Sequence, residues 1–396
     1  MHSLNANLTH RNTGVGYESG YYTTGADNTY VGFKAGLGAA GAEASNVGIG
    51  ANALLAITTG TDNVAVGIKA LEAVTDSQYN VGIGRQAAFK ITTGDKNISI
   101  GGGTLALATT ASNIIAIGHD AAYTVSAGNT ASDGTIAIGA SALNALTTGA
   151  GNVAIGYTAG LSLTTGERNT ILGHEALLYG TTETDDNVAI GYNAMAGNFS
   201  SNAVNDCVAI GSYAMIGTLT STASGTVAVG RGALSALTSG TANVAIGYEA
   251  MKVHTSGLRN TVLGYQAMDD NDAGAYSLSS EDNVFIGYRA GSGTYTNVKV
   301  ENNVAIGSYS MGAALDGAKD NVIVGMNTAG TLTSASGSVL LGSNAGTTIT
   351  TGNRNIAIGH NAINGGTTTG DNNIAIGANA GDNLTSGYDN VLVGED

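Results

Sequence analysis

The sequence predicts an all-β protein, a parallel β-solenoid (β-roll) of about 22 coils with a basic period of 17 residues. A pentapeptide close to Asn-Val-Ala-Ile-Gly recurs 22 times and ends at glycines from Gly16 to Gly394. Eleven of the 21 spacings between these glycines are 17 residues, and the others run from 16 to 23. A short, strand-like period of this kind is typical of a solenoid with tolerated insertions. We assign residues 1–11 to a lead-in and residues 12–396 to one continuous repeat domain.

Each pentapeptide predicts a short strand with two unlike faces. The third residue before the glycine is Val, Ile or Thr, and the residue directly before it is Val, Ile or Leu, so both point to one face. The residue between them is Ala, Gly or Ser in fifteen copies, as at Ala154, with large exceptions such as Tyr30, Ile171 and Phe285. This alternation predicts a bulky face that fills the coil and a thin face that lies against another backbone.

The asparagine at the start of the pentapeptide predicts a hydrogen-bonded ladder. It is present in 17 of 22 copies, and Ile114, Thr135, Cys207, Thr226 and Ser338 replace it in the others. Side-chain amides in stacked coils can hydrogen-bond along the axis, as they do in stacked strands. The predicted ladder includes Asn63, Asn152, Asn169, Asn187, Asn243 and Asn355.

Two further features bear on assembly. Proline is absent from all 396 residues, which fits a stack in which nearly every strand donates hydrogen bonds to its neighbours. A coil this slim also buries few side chains, so the free energy of burial is small compared with the entropic cost of ordering its backbone. We therefore expect an oligomer whose subunits meet through the thin face, with Ala154, Ala189 and Ala245 at the contact, or through the alanine that follows the strand glycine by three residues.

The repeat units resemble a known family. The units Asn152–Asn169 and Asn373–Asn390 are similar to the YadA-like head repeats of trimeric autotransporter adhesins, and still more similar to repeats of phage tail fibres that carry an endosialidase-type chaperone. The resemblance covers residues 12–394 and does not include a chaperone domain. It implies a left-handed roll, a homotrimer and an adhesive or spacer role. The common unit of 17 residues is longer than the unit of about 14 that is usual in the adhesin heads.

Composition excludes several function classes. A net charge of −15 argues against nucleic-acid binding, which needs a basic surface. The single cysteine rules out an internal disulfide framework. No apolar run is long enough to insert into a membrane. The lead-in has no apolar core of the secretory type, which favours a virion component released by lysis over a secreted adhesin.

The sequence contains no recognisable catalytic or metal-binding motif. His119, His174 and His360 share the position just after the strand glycine, where Tyr157 also occurs, so we interpret them as structural. Cys207 occupies a ladder position, which predicts a buried, inert thiol. The position before the ladder asparagine mixes arginines with acids, which avoids a column of like charge. We therefore expect no enzyme activity and no cofactor.

Insertions are the most plausible recognition elements, because solenoid loops grow from one edge while the coils stay fixed. The longest, residues 268–282, is acidic. A polar surface loop is the simpler interpretation, with calcium binding or a receptor contact as alternatives. The candidate contact residues are Asp269, Asp270, Asp272, Tyr276 and, in the next coil, Tyr295.

Two functions follow from these observations. The first is a structural shaft or receptor-binding segment of a phage tail fibre, located in the virion, that mediates adhesion to a host cell-surface glycan or protein. The alternative is a self-assembling extracellular filament or a bacterial surface adhesin, with end-to-end association of copies.

Overall fold

The computed structural model describes residues 11–125, 133–180, 183–199, 203–269, 280–293, 295, 298–313 and 315–395. Contacts divide the chain into two compact units, Met1–Ala203 and Val204–Asp396. Both units are built in the same way, since each coil contributes one strand of three residues followed by turns. The described residues contain no α-helix.

Unit 1 holds eleven strands within its described residues. They are β1 (Thr13–Val15), β2 (Thr29–Val31), β3 (Val47–Ile49), β4 (Val64–Val66), β5 (Val81–Ile83), β6 (Ile98–Ile100), β7 (Ile115–Ile117), β8 (Ile136–Ile138), β9 (Val153–Ile155), β10 (Thr170–Leu172) and β11 (Val188–Ile190). Neighbouring strands pair in parallel, so that Ala154 of β9 lies opposite Ala137 of β8 and Ile171 of β10.

Unit 2 also holds eleven strands within its described residues, and one short 3-10 helix, Ser221–Ala223. The strands are β12 (Val208–Ile210), β13 (Val227–Val229), β14 (Val244–Ile246), β15 (Thr261–Leu263), β16 (Val284–Ile286), β17 (Val304–Ile306), β18 (Val322–Val324), β19 (Val339–Leu341), β20 (Ile356–Ile358), β21 (Ile374–Ile376) and β22 (Val391–Val393). The parallel, in-register pairing confirms the predicted β-solenoid and its period. The hand of the solenoid stays a prediction.

The faces of the strands are oriented opposite to the prediction. The middle residue is buried in every strand except β1 and β22, whereas the flanking Val, Ile, Leu and Thr residues are half-buried or exposed. Ala154, Ala189 and Ala245 are fully buried inside their own chain. The predicted contact between copies through these three alanines is therefore wrong, because the thin face forms the interior of the coil.

The narrow interior explains this arrangement. The middle residues face the residue three after the strand glycine, which is most often a buried alanine. A Cβ added at Gly82, a middle residue of β5, for example, would lie 3.4 Å from the Ala87 carbonyl oxygen. The same Cβ would lie 2.8 Å from Cγ of Leu71. Large buried turn residues such as Leu71 fill the space across the coil and leave room only for a small side chain at most middle positions, so the β-branched strand residues lie outside.

Three large middle residues, Tyr30, Phe285 and Leu340, are accommodated by a glycine four residues after the strand glycine of the same coil. A Cβ at Gly291 would lie 2.8 Å from the Phe285 ring, and a Cβ at Gly346 would lie 2.8 Å from Leu340. Gly36 approaches the ring of Tyr30 in the same way. In these three coils the volume of the large interior residue is offset by a missing side chain across the coil. The coil of Ile171 differs, because it has the buried Leu177 at the same position.

The strand glycines cannot be replaced for two reasons. All 22 have φ between +127° and +148°, a region that residues with a Cβ rarely adopt. An added Cβ would also meet the backbone of the next coil, as at Gly101, where it would lie 2.6 Å from the carbonyl oxygen of Gly118. Close stacking of coils therefore depends on glycine at this position.

The asparagine side chains form the predicted ladder. Nδ2 of Asn169 donates to Oδ1 of Asn152 at 3.0 Å and to the Thr184 carbonyl at 2.7 Å. Oδ1 of Asn169 accepts hydrogen bonds from the backbone and side-chain nitrogens of Asn187. All six asparagines named above are buried and take part in such bonds, namely Asn63, Asn152, Asn169, Asn187, Asn243 and Asn355.

Candidate functional site

The structure does not support the predicted receptor contact at the two residues it describes. Asp269 is 3% exposed and Tyr295 is fully buried. The Tyr295 hydroxyl donates to the Gly291 carbonyl at 2.7 Å, within its own coil. Tyr295 is therefore a core residue, and its assignment to a contact surface is wrong. Asp270, Asp272 and Tyr276 lie outside the described residues.

The largest repeated surface feature is an aliphatic ridge, which we define as the first and third residues of the strands. Every ridge residue is Val, Ile, Leu or Thr, so the ridge carries no charge along either unit. Its side chains are substantially exposed in a single chain, with Ile155 at 37% and Leu172 at 44%. Each unit thus presents a continuous apolar stripe to solvent.

Aromatic side chains stack in short runs beside the ridge, at the first residue after the strand glycine. In unit 1, His174 lies between Tyr157 and Tyr192, with ring centroids 5.1 and 5.4 Å apart. In unit 2, Tyr265 stacks on Tyr248 at 5.0 Å. The environment of His174 is that of a stacking residue in a column, in agreement with the structural role that the sequence predicts.

Charges of opposite sign pair between successive coils. Arg168 donates two hydrogen bonds to the carboxylate of Asp186, at 2.7 and 2.9 Å. Arg259 and Asp282 form the same bidentate pair at 2.7 Å. The arginine hydrogen bonds lower the pKa of both carboxyl groups. The mixed charges before the ladder asparagine therefore form ion pairs at these positions, as the sequence indicates.

Chemically reactive groups are sparse among the described residues. Cys207 is fully buried, and burial raises the pKa of its thiol to about 11, which disfavours the reactive thiolate. No three His, Cys, Asp or Glu side chains converge on a metal position in the part of the chain that the structure describes. The described residues also include no helix that is long and apolar enough to cross a membrane.

His254 is an ionisable residue buried at an apolar position of the coil. It is 1% exposed, its ring lies edge-on to Tyr295 at 5.3 Å, and neither ring nitrogen has a hydrogen-bond partner among the described residues. Leu237 occupies the same position in the preceding coil. Burial lowers the pKa of His254 to about 4, because the interior disfavours the imidazolium.

We expect this histidine to make unit 2 less stable in acid. Between pH 6.5 and pH 4 the unfolded chain binds a proton at His254 that the folded chain does not, so stability falls as pH falls through this window. The loss is about 3 kcal/mol. Denaturant unfolding at pH 7.5 and pH 4.5 should show a smaller pH dependence in His254→Leu than in the wild type. Equal pH dependence in both proteins would contradict the assignment.

Comparison of the chain with family models gives no match, and comparison with curated proteins gives none either.

Proposed function

We propose that this chain is a structural segment of a fibre, in which copies assemble side by side through the aliphatic ridge. In this proposal it forms the shaft or a receptor-binding segment of a phage tail fibre and mediates adhesion to a host cell surface. The observation that carries the proposal is the uncharged ridge, exposed along the strands of both units.

The size and chemistry of the ridge support burial against other copies. Eleven strands at about 4.8 Å spacing give an apolar stripe of roughly 50 Å in each unit. Soluble monomers rarely expose a continuous apolar surface of that extent. The chain carries a net charge of −15, so copies repel over most of their surface. The ridge carries no charge, so electrostatic repulsion between two copies is smallest where their ridges approach each other.

The number of copies and the biological setting come from the resemblance to YadA-like and tail-fibre repeats. That resemblance implies a left-handed homotrimer located in a virion or outside the cell, with a host glycan or protein as its receptor. A self-assembling filament or a bacterial surface adhesin is the alternative. Electron microscopy distinguishes finite rods from filaments that lengthen with concentration.

Charges placed on the ridge should dissociate the assembly. We expect the wild type to have three times the mass of one chain by light scattering, and Ile155→Lys/Leu172→Lys to have a lower mass or a concentration-dependent one. Both side chains are exposed in a single chain, so the lysines cost little in the monomer and become buried only on association.

A matched control separates assembly from folding. Leu161→Lys/Leu178→Lys introduces the same charges in turns of the same two coils, away from the ridge, at half-buried positions. The control should keep the wild-type mass. A monomeric wild type, or equal masses for the ridge variant and the wild type, would contradict assembly through the ridge.

A further inference from the structure

A notch interrupts the side-chain columns at the coil of β6. At the first position after the strand glycine, Gly102 lies between Arg85 of the preceding coil and His119 of the following coil. The second position is again a glycine, Gly103, whose nitrogen donates to the Arg85 carbonyl at 3.0 Å. Asp120 donates its backbone N–H to the Gly102 carbonyl at 3.0 Å. The coils are therefore tightly stacked. Two side chains of this layer are missing, and the Asp120 and Tyr123 side chains of the following coil extend over Gly103, where an added Cβ would meet Oδ1 of Asp120 and lie 3.7 Å from Cδ2 of Tyr123.

The missing layer lies between two aromatic rings. Three residues beyond Gly103, Ala106 occupies the position that holds Phe89 in the coil before and Tyr123 in the coil after. The resulting cavity has a volume of about 700 Å³ and is lined by both rings. Lys69, from the coil that precedes Phe89, lies over the Phe89 ring at 5.3 Å. The other face of that ring is the one available at the notch.

The dimensions suit one inserted ring. Phe89 and Tyr123 are two coils apart, about 9.6 Å at the usual strand spacing. Stacked or edge-on aromatic contacts have centroids about 4.5 to 7 Å apart, so two successive contacts span roughly 9 to 14 Å. Intact aromatic columns of this chain show such contacts, with Tyr265 between Tyr248 and Tyr288 at 5.0 and 5.5 Å. A ligand ring would take the place of the absent side chain.

The notch is lined by two cations on one side and by one carboxylate on the other. Arg85 and Lys90 line one side and are exposed, and no carboxylate of the described residues lies within ion-pair distance of either. On the opposite side, Oδ2 of Asp120 is 3.0 Å from Nδ1 of His119. Gln86 adds a hydrogen-bonding amide.

We propose that the notch binds one acidic sugar residue of a glycan, with its ring between Phe89 and Tyr123 and its carboxylate on Arg85 and Lys90. The mixture of aromatic faces and hydrogen-bonding groups fits a hydroxylated ring, and the open side of the notch leaves room for the glycan to continue. As a receptor site, the notch would make the adhesion function proposed above more specific, and the proposal rests on that function. Sugar binding can be measured separately from assembly.

The test is a titration of the full-length, assembled protein by calorimetry and saturation-transfer NMR. The probes are 3′-sialyllactose and glucuronate, with lactose and glucose as neutral counterparts and benzoate as a non-sugar ring that carries a carboxylate. We expect at least one acidic sugar to bind at least tenfold more tightly than its neutral counterpart, and added salt to weaken it. No preference for the acidic sugars would overturn the proposal, and so would tighter binding of benzoate.

Variants that fill the notch or remove its charge test the location of the site. Gly102→Tyr should reduce acidic-sugar binding at least tenfold by filling the notch, because tyrosine occupies the same position in other coils, as at Tyr157. Ala51→Tyr, at the same position three coils earlier and outside the notch, is the control and should bind normally. Arg85→Gln should reduce the preference for the acidic sugar severalfold. Undiminished binding by Gly102→Tyr would overturn the location.

Oligomer mass separates this proposal from the fibre function. If the notch variants keep the wild-type mass and lose the sugar, the site is supported. If the wild type binds the acidic sugar but is monomeric, the notch stands and the fibre proposal fails. If the protein is an oligomer that binds none of the acidic sugars, the notch proposal fails and the fibre function stands.

Discussion

Replacing Gly101 with alanine should destabilise unit 1 by at least about 3 kcal/mol, whereas the same change at the adjacent Gly102 should have almost no effect. Gly101 has φ +134°, and its new Cβ would lie 2.6 Å from the Gly118 carbonyl oxygen. At Gly102 the nearest atoms are 3.6 and 3.9 Å away. Gly101 therefore sets the spacing of the coils, whereas the adjacent Gly102 can be replaced by any residue with a small side chain.

Because each coil contacts mainly its neighbours, the damage from Gly101→Ala should be local. Hydrogen exchange is the appropriate measurement, and the amides of β5, β6 and β7 should lose protection while those of β10 keep it. Thermal unfolding of Gly102→Ala should match the wild type within experimental error. Similar protection in the two variants would mean that the coils can move apart and that the close approach at the glycine is not essential.

The strands could be predicted from the sequence because the same residue pattern occurs 22 times. Alternation along a strand separates two faces but does not say which one is inside. The usual expectation that Val and Ile of the strand are buried failed here because the space facing most middle positions is already filled by large residues of the turns. At Gly82, an added Cβ would lie 2.8 Å from Cγ of the buried Leu71. The pairing of a large middle residue with a glycine across the coil, as for Tyr30, Phe285 and Leu340, is a signal that could have indicated the correct face.

The surface sites were less predictable, for a different physical reason. Tyr295 lies near a long insertion in sequence, but its position within the coil is a core position, and its hydroxyl is satisfied by Gly291. The notch depends on three small residues in one coil, Gly102, Gly103 and Ala106, being flanked by large ones in both neighbours. That relation becomes visible only when the coils are aligned in register.

The asparagine ladder shows how a narrow interior can hold polar groups. Asn169 is fully buried, yet its amide nitrogen donates two hydrogen bonds and its amide oxygen accepts two. Where Ile114 replaces asparagine, its backbone nitrogen still donates to Oδ1 of Asn97 at 3.1 Å. The backbone part of the ladder thus tolerates an apolar residue, but the side-chain part requires a donor and an acceptor together.

Asn169→Asp should therefore destabilise unit 1 by about 3 to 5 kcal/mol at pH 7. The new carboxylate oxygen would face two acceptors, Oδ1 of Asn152 and the Thr184 carbonyl, which are 3.0 and 2.7 Å from the present nitrogen. Protonation restores one donor, so denaturant unfolding should show part of the loss recovered near pH 4. Asn113→Asp, at an exposed position before the ladder, is the control and should change stability by less than about 0.5 kcal/mol. Equal effects of the two substitutions would show that the ladder does not hold the coils together.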